Sequence, residues 1–210
     1  EARVVSIEDN REINLPRENW LPSVARSSLL EGKVGEVDLF SLLKNSFRQN
    51  PDYVIVGEVR GKEAFVLFQG MASGHSSIST MHADSVATLT RRLETPPIEL
   101  SPSLLNTLDC VAIMTHAVIG KQETRKLREV VEIVNVDDKG NAVTNTPFIW
   151  NPQENVFYFK KTNIVFEKIT KKYGVTVDEL NKELEIRAKL LYELQKREMF
   201  DFNQTQKIIN

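Results

Sequence analysis

The chain has 210 residues, enough for one full domain or for one domain with a small appendage. Its 27 basic and 29 acidic residues leave a net charge of −2, so no basic surface of the kind that binds nucleic acid is indicated. No apolar run approaches the roughly 20 residues of a membrane span, and the single cysteine, Cys110, excludes an internal disulfide and a cysteine zinc cage. Because its neighbours are apolar, we expect Cys110 to be a buried structural thiol, and we expect a cytoplasmic protein.

The first 31 residues predict one strand followed by an irregular segment. Residues 4–7 are a short apolar run typical of a buried strand, and the run starts with no methionine or lead-in, which indicates a cut through a larger domain. The run ends in three carboxylates at Glu8, Asp9 and Glu12. Residues 14–31 contain two prolines, so we expect an irregular excursion of the kind that often carries function.

A strand–helix–strand unit is predicted in the middle of the first half of the chain. Residues 53–56 are a β-branched run typical of a strand buried on both faces of a parallel sheet, and the run stops at Gly57. Residues 62–72 have apolar positions at helical spacing. A second short run at 77–81 then stops at His82.

The ends of these strands predict a ligand site. A crossover between parallel strands is nearly always right-handed, so both strands point the same way and Glu58 and His82 are expected at one edge of the sheet. Ligands bind at that edge in open α/β sheets. The carboxylates at Glu8, Asp9 and Glu12 end a third run and are expected at the same edge.

The remaining predicted elements are helices and short strands. They are helices at 34–50 (capped near Asp38), after Asp84 or Ser85, and from Ser101; strands at 110–115 and 128–136; a turn at 137–141; an antiparallel pair at 147–150 and 156–159; and helices in 162–210. A capping box is predicted at 176–179. A stripe of four leucines is expected to serve packing: Leu180, Leu184, Leu191 and Leu194.

The residue types at the predicted edge suit phosphoryl transfer. A carboxylate at a strand tip beside a glycine can bind Mg²⁺ through water or polarise an attacking water, which fits Glu58, and Glu12 could supply a second carboxylate. Arg60 lies beside Glu58 in the sequence, and His82 could contact a terminal phosphate. The phosphate-binding pattern G-x-x-x-x-G-K-[ST] does not occur in these 210 residues.

Three ordered motifs resemble those of the ATPases of type II and type IV secretion systems, which include pilus motors. Residues 7–12 (IEDNRE) resemble the aspartate box of that family, residues 52–61 (DYVIVGEVRG) its atypical Walker B segment, and residues 79–84 (STMHAD) its histidine box. Residues 67–75 match the connecting helix, and the resemblance covers residues 3 to about 133. Gly61 replaces the acidic residue usual in bacterial members, which favours the archaeal branch.

The resemblance implies a fold, a reaction and a set of roles. The implied fold is part of a RecA-like parallel sheet with flanking helices (1–135), followed by a β-hairpin (136–161) and a helical C-terminal extension (162–210). The implied cofactors are ATP and Mg²⁺, in the complete parent protein. The implied residue roles are Glu12, Glu58 and His82 in catalysis, Glu58, Arg60 and Asp9 in nucleotide binding, and Glu58 as the Mg²⁺ residue through water.

The same resemblance implies partners and a place in the cell. The partners would be sister subunits in a hexamer, a membrane platform protein and, indirectly, pilin or a secreted substrate. The protein would be cytoplasmic and peripheral to the inner face of the cell membrane. Because the phosphate-binding pattern does not occur, we expect negligible ATP hydrolysis and weak nucleotide binding by this chain alone.

Two other functions stay open at the level of sequence. One is a metal-dependent hydrolase using His75, His82 and Glu58, although the strand between the two histidines places them at opposite ends. The other is a non-catalytic assembly module that keeps the fold. Solvent or structural roles are the simplest interpretation of the remaining candidates: His116, Arg3, Arg17, Arg26, Arg91 and Arg92.

Overall fold

The computed structural model describes residues 2–26, 35–160 and 162–209. Two compact units are present, Glu1–Lys161 and Thr162–Asn210. The first contains a parallel and an antiparallel sheet with helices, and the second is helical. The predicted α/β class, with a parallel sheet, flanking helices, later antiparallel strands and a helical C-terminal part, is therefore confirmed.

The parallel sheet has four strands in the order β2-β1-β3-β4. Its strands and the helices around them are β1 (Val4–Glu8), β2 (Trp20–Val24), α1 (Leu39–Ser46) with a following 3-10 turn (Phe47–Gln49), β3 (Tyr53–Val56), α2 (Glu63–Ala72), β4 (Ser76–Ser79), α3 (Val86–Glu94) and α4 (Pro102–Leu105). The apolar side chains at the middle of the two central strands are buried, since Val5, Ile7, Val54 and Val56 are at most 1% exposed. Because such strands are buried on both faces, they could be predicted from a continuous apolar run, without an alternation of apolar and polar residues.

Helix α1 is shorter than the predicted helix at 34–50. Asp38 caps it as expected, because its Oδ1 accepts a hydrogen bond from the Ser41 N–H at 2.8 Å. The 3-10 turn that follows ends at Asn50, whose φ of 51° stops the helix before Pro51. Residue 34 lies outside the described residues.

The prediction of an irregular segment at 14–31 is wrong for residues 20–24, which form β2. This strand pairs with β1 in parallel register, with Pro22 opposite Ser6. Proline lacks a backbone donor, but one side of an edge strand needs no pairing, so the edge tolerates it. The part of the predicted segment at 27–31 lies outside the described residues.

The antiparallel sheet is larger than the predicted hairpin. It is a meander of β5 (Cys110–Ile119), β6 (Gln122–Val136), β7 (Ala142–Asn151) and β8 (Val156–Phe159). Gly120, with a φ of 63°, makes the tight turn between β5 and β6. The predicted boundary between the RecA-like part and the β-hairpin, at residues 135 and 136, lies inside β6. The strands predicted as a separate hairpin therefore belong to the same sheet as the strands before them.

The prediction of a buried Cys110 is wrong. Cys110 is exposed at the start of β5. Because β5 is an edge strand and its side chains alternate, the face that carries Cys110 also exposes Met114 and Val118, at 61% and 69%. The apolar neighbours of the cysteine therefore did not indicate burial.

The second unit consists of α5 (Ile164–Tyr173), α6 (Val177–Lys196) and α7 (Phe202–Ile209). The predicted capping box is present, with the Glu179 N–H donating to Thr176 Oγ1 at 3.2 Å and the Thr176 N–H to Glu179 Oε2 at 2.7 Å. Leu194 is buried, but the prediction that Leu191 packs is wrong, because it is 59% exposed. Helix α5 has half the length of α6, so it cannot cover the whole stripe. None of the described helices is long and apolar enough to cross a membrane.

Candidate functional site

The carboxyl ends of three parallel strands meet at one edge of the sheet. Register pairs Ile7 with Val56 and Val56 with Ser79, so the segments that follow β1, β3 and β4 are neighbours. Hydrogen bonds continue the pairing past β3 and β4, because the Val59 N–H donates to the Thr80 carbonyl at 2.9 Å and the Thr80 hydroxyl to the Gly57 carbonyl at 2.6 Å. Glu58 and His82 are therefore held on adjacent chain segments.

Glu58 lies at the centre of an ionic cluster. Its Oε1 is 3.4 Å from Nε2 of His82, and its Oε2 accepts a hydrogen bond from the Arg60 guanidinium. The Glu58 side chain is 23% exposed, whereas Arg60 and His82 are largely open to solvent. The structure brings Arg60 and His82 into contact with Glu58. All three residues were expected at this edge from the sequence.

This cluster keeps Glu58 ionised. The hydrogen bond from Arg60 is the largest cause that lowers the pKa of Glu58. Burial opposes it, and the charges of Arg60, His82 and Arg92 lower the pKa further. The pKa of Arg60 is raised in return, first by its hydrogen bond to Glu58 and then by nearby carboxylates that include Asp9. A carboxylate that stays charged at neutral pH suits a residue that binds a cation.

Asp9 and Arg60 line the same open cleft. The cleft has a volume of about 520 Å³ and lies beside the start of α2, with Lys62 and Glu63 in its wall. Glu63 holds the segment before α2, since its Oε1 accepts hydrogen bonds from the N–H groups of Arg60 and Gly61 at 2.6 and 2.7 Å. Two of the three predicted nucleotide-binding residues thus line one cleft.

Glu12 lies in the turn after β1 and is exposed. Its backbone N–H donates to Oε1 of Glu8 at 3.0 Å. Its side chain makes no hydrogen bond or ion pair within the part of the chain that the structure describes. The strand ends place Glu12 at the same edge as Glu58, and its side chain is not brought into contact with Glu58.

Two residues of the site, Arg92 and Arg128, were not found from the sequence, and the burial of Glu8 was not predicted. Glu8 is buried beneath the turn that carries Glu12. Arg92, in the last turn of α3, donates to the His82 carbonyl, and Arg128 of β6 donates to the Asp84 carbonyl at 2.7 Å. Arg92 had been assigned to the helix dipole and solvent. Only the fold reveals these contacts, because Arg128 and Asp84 are 44 residues apart.

His75 is placed away from this cluster. It precedes β4, whereas His82 follows it. Its Nδ1 is 3.3 Å from the Gly70 carbonyl, and its ring centroid is 4.8 Å from that of Phe47. Among the described residues no group of three or more His, Cys, Asp or Glu side chains is placed to hold a metal ion. The geometry thus gives His75 a packing role. His116 is exposed on β5.

The fold and this edge define an open α/β protein whose candidate ligand site lies at the carboxyl ends of parallel strands. Residues 1–154 match the family model described as Type II/IV secretion system protein. The chain belongs to this family. The resemblance seen in the three sequence motifs is therefore confirmed at the level of the family.

Relatives of the chain occur in archaea and bacteria. Uncharacterized protein MJ1287 of Methanocaldococcus jannaschii is 36% identical over 195 residues, which are 92% of this chain and 72% of the relative. Uncharacterized protein MJ0900 of the same organism is 35% identical over 216 residues, 99% of this chain and 38% of the relative. A putative conjugal transfer protein of Mycobacterium tuberculosis is 28% identical over 69% of this chain and 42% of its own length. The chain thus spans between 38% and 72% of the length of these three relatives.

A solved structure with a related sequence is the VirB11 ATPase from the Brucella suis type IV secretion system, in complex with sulphate. It is 27% identical, with a TM-score of 0.48, and the match covers 61% of this chain and 39% of that one.

Proposed function

We propose that this chain is part of a hexameric ATPase motor in which Glu12, Glu58 and His82 act in Mg-ATP hydrolysis. The work done would be the assembly of a type IV pilus or archaellum, or type II/IV secretion. The observation that carries the proposal is the Glu58 cluster, with His82 3.4 Å away at the carboxyl edge of a parallel sheet, in a chain of this family. The archaeal relatives support a place in the archaeal branch.

Each residue of the cluster has a role that its chemistry supports. Glu58, kept ionised by its neighbours, would hold Mg²⁺ through water, and the metal when bound would neutralise phosphate charge. Glu12, exposed on its turn, would orient and deprotonate the attacking water. His82 would contact the terminal phosphate. Arg60 and Asp9, which share a cleft, would contact the nucleotide.

A phosphate-binding loop would have to come from elsewhere. The pattern G-x-x-x-x-G-K-[ST] does not occur in residues 1–210, and without it no backbone cradle for the β- and γ-phosphates is provided by a motif of this kind. We infer that the complete protein contains such a loop outside this sequence. A non-catalytic assembly module is the second candidate, and the missing pattern is the observation that favours it.

The partners of the motor follow from the same proposal. They are sister subunits in a ring, a membrane platform protein and, indirectly, pilin or a secreted substrate, with no nucleic acid. The motor would lie on the cytoplasmic side, peripheral to the inner face of the cell membrane. The names of relatives support a role in transfer systems, since one is a type IV secretion system protein of Bordetella pertussis and is 38% identical over 43% of this chain.

The test is ATP hydrolysis by the complete protein with single substitutions at this edge. Glu12→Gln removes the base, and we expect kcat to fall by roughly 10²–10⁴ with little change in KM, because a base acts on the reacting water. His82→Ala should also lower kcat. His116→Ala is the matched control, since His116 is exposed on β5, and it should leave the rate unchanged. Wild-type rates in both Glu12→Gln and His82→Ala would contradict the roles proposed for these residues, whereas no ATP hydrolysis by the wild-type complete protein would favour the non-catalytic module.

A further inference from the structure

The carboxylate of Glu8 is the part of this edge to which the proposed function gives no role. Glu8 is the last residue of β1 and only 3% exposed. Glutamate is almost never buried to this degree unless it is paired, because removing a charge from water is costly. Glu8 shares its face of the strand with Val4 and Ser6, which are 7% and 0% exposed, so its carboxylate lies in a buried layer.

The two oxygens of Glu8 have different surroundings. Oε1 accepts two backbone hydrogen bonds, from the N–H groups of Glu12 at 3.0 Å and Ile13 at 2.9 Å. Oε2 is buried and makes no hydrogen bond within the described residues. The side chain therefore holds the turn that carries Glu12 at two consecutive residues.

The stem of the Glu8 side chain contacts the segment that carries Glu58. A Cβ placed on Gly57 would lie 3.1 Å from Cγ of Glu8, so only glycine leaves full room for this side chain. The Gly57 N–H is itself bonded to the Ile7 carbonyl at 2.9 Å. Glu8 thus lies between the backbone of Glu12 and the residue that precedes Glu58.

We propose that Glu8 is a positioning residue, which fixes Glu12 relative to Glu58 by accepting the N–H groups of Glu12 and Ile13. The proposal rests on the proposed function, because Glu12 and Glu58 are the carboxylates whose separation it sets. The Glu12 side chain has no hydrogen-bond partner among the described residues, so its backbone is what holds it in place. Misplacement of a catalytic group by about 1 Å can cost roughly 10²-fold in rate.

The first experiment measures backbone amide exchange by NMR on the 210-residue chain. Glu8→Met keeps the length of the side chain and removes the acceptor, whereas Glu8→Gln keeps an acceptor. We expect the amides of Glu12 and Ile13 to exchange about tenfold faster in Glu8→Met, since one hydrogen bond is worth about a factor of ten, and to change little in Glu8→Gln. The Gly57 amide is the internal control and should stay protected in both.

An unchanged exchange rate at Glu12 and Ile13 in folded Glu8→Met would overturn the proposal. Folding is checked by the thermal midpoint of each variant. If Glu8→Met does not fold, the more conservative Glu8→Gln variant still tests the proposal. A tenfold faster exchange in Glu8→Gln as well would also contradict it, because the acceptor would then not be what holds the turn.

The second experiment measures hydrolysis by the complete protein. We expect Glu8→Met to lower kcat about tenfold with KM for ATP unchanged, and Glu8→Gln to lie near wild type. In a Glu12→Gln background, Glu8→Met should have no further effect, because Glu8 acts through Glu12. An equal, additive loss in that background would contradict the proposal. No hydrolysis by the wild-type complete protein would contradict the proposed function, and the exchange experiment would still decide whether Glu8 anchors the turn.

Discussion

At the scale of single residues, Glu58 is where the charges of the edge converge. Two guanidinium groups and an imidazole act on its carboxylate, and the Arg60 hydrogen bond is the largest cause of its lowered pKa. In the proposed motor the same carboxylate faces Mg²⁺. The positive neighbours that keep Glu58 ionised therefore also preserve the negative charge that would attract the metal ion.

Arg60→Gln should raise the pKa of Glu58 toward the ordinary value of about 4.3. The variant removes the guanidinium that both donates to the carboxylate and attracts its charge. The measurement is a ¹³C NMR titration of the Glu58 carboxyl group. Arg91→Gln is the matched control, because Arg91 is an arginine of α3 that is not among the groups shifting this pKa, and it should leave the titration unchanged. An unchanged Glu58 pKa in Arg60→Gln would contradict the described cluster.

The lowered pKa of Glu58 makes a small, pH-dependent contribution to the free energy of unfolding. Because the pKa of Glu58 is lower in the folded chain, its contribution is fully present above the pKa of the unfolded chain and is lost as the pH falls through the folded value. The difference in unfolding free energy between wild type and Arg60→Gln should therefore shrink below about pH 4.3. Exposure of the pair keeps the difference small.

The residues of the edge differ in how far the sequence could predict them. Glu58 and His82 each follow a short apolar run, so strand ends and the direction of parallel strands were sufficient to bring them together. Glu8 also ends such a run, but its burial and its bonds to the next turn depend on packing that the sequence does not show. Arg92 and Arg128 reach the loop after β4 from other elements, and no local pattern indicates such contacts.

At the scale of elements, α2 packs closely on the 3-10 turn after α1. A Cβ on Gly70 would lie 2.1 Å from the Phe47 ring, so the helix approaches the ring only because glycine stands there. Phe47 also contacts His75 at the end of α2. This packing fixes the helix that connects β3 to β4, and so the spacing of the strands that carry Glu58 and His82.

Gly70→Ala should destabilise the protein by about 1–3 kcal/mol, although alanine is the better helix former. The added methyl group forces the Phe47 ring or the helix to move. Urea unfolding followed by circular dichroism measures the change. In a Phe47→Ala background, where the ring is gone, Gly70→Ala should instead be neutral or stabilising by up to about 1 kcal/mol. Stabilisation in the wild-type background would show that the contact is not tight.

The elements that were missed share a physical reason. Strand β2 contains Pro22, which argues against a central strand but is tolerated at an edge. The hairpin of β5 and β6 turns at Gly120, and the polar first half of β6 hid its strand character because its side chains are partly solvated. Strands with a run of apolar residues were predicted correctly because a buried strand needs apolar side chains. The missed edge and partly solvated strands lack such a run, and their structure depends on pairing with the neighbouring strand.

At the scale of the whole molecule, membership of the Type II/IV secretion system protein family rests on residues 1–154. This segment contains both carboxylates and the histidine of the proposed catalytic edge. The chain spans 38% of the length of one relative and 72% of the length of another.

The 210-residue chain alone should bind ATP weakly and hydrolyse it negligibly. The reason is that the phosphate-binding pattern, whose backbone N–H groups would surround the negative phosphates, does not occur in its sequence. Isothermal titration calorimetry with Mg-ATP and a phosphate-release assay measure the two properties. Millimolar or tighter binding together with turnover by the purified chain would contradict this expectation.

The most direct test of the central claim is the steady-state rate of Mg-dependent ATP hydrolysis by the complete protein carrying Glu58→Gln. Glutamine keeps the size of the side chain and removes the charge that would hold Mg²⁺ through water. The account predicts a rate at least about 10²-fold below that of wild type, measured at equal protein and nucleotide concentrations. A Glu58→Gln protein that hydrolyses ATP at the wild-type rate would contradict it.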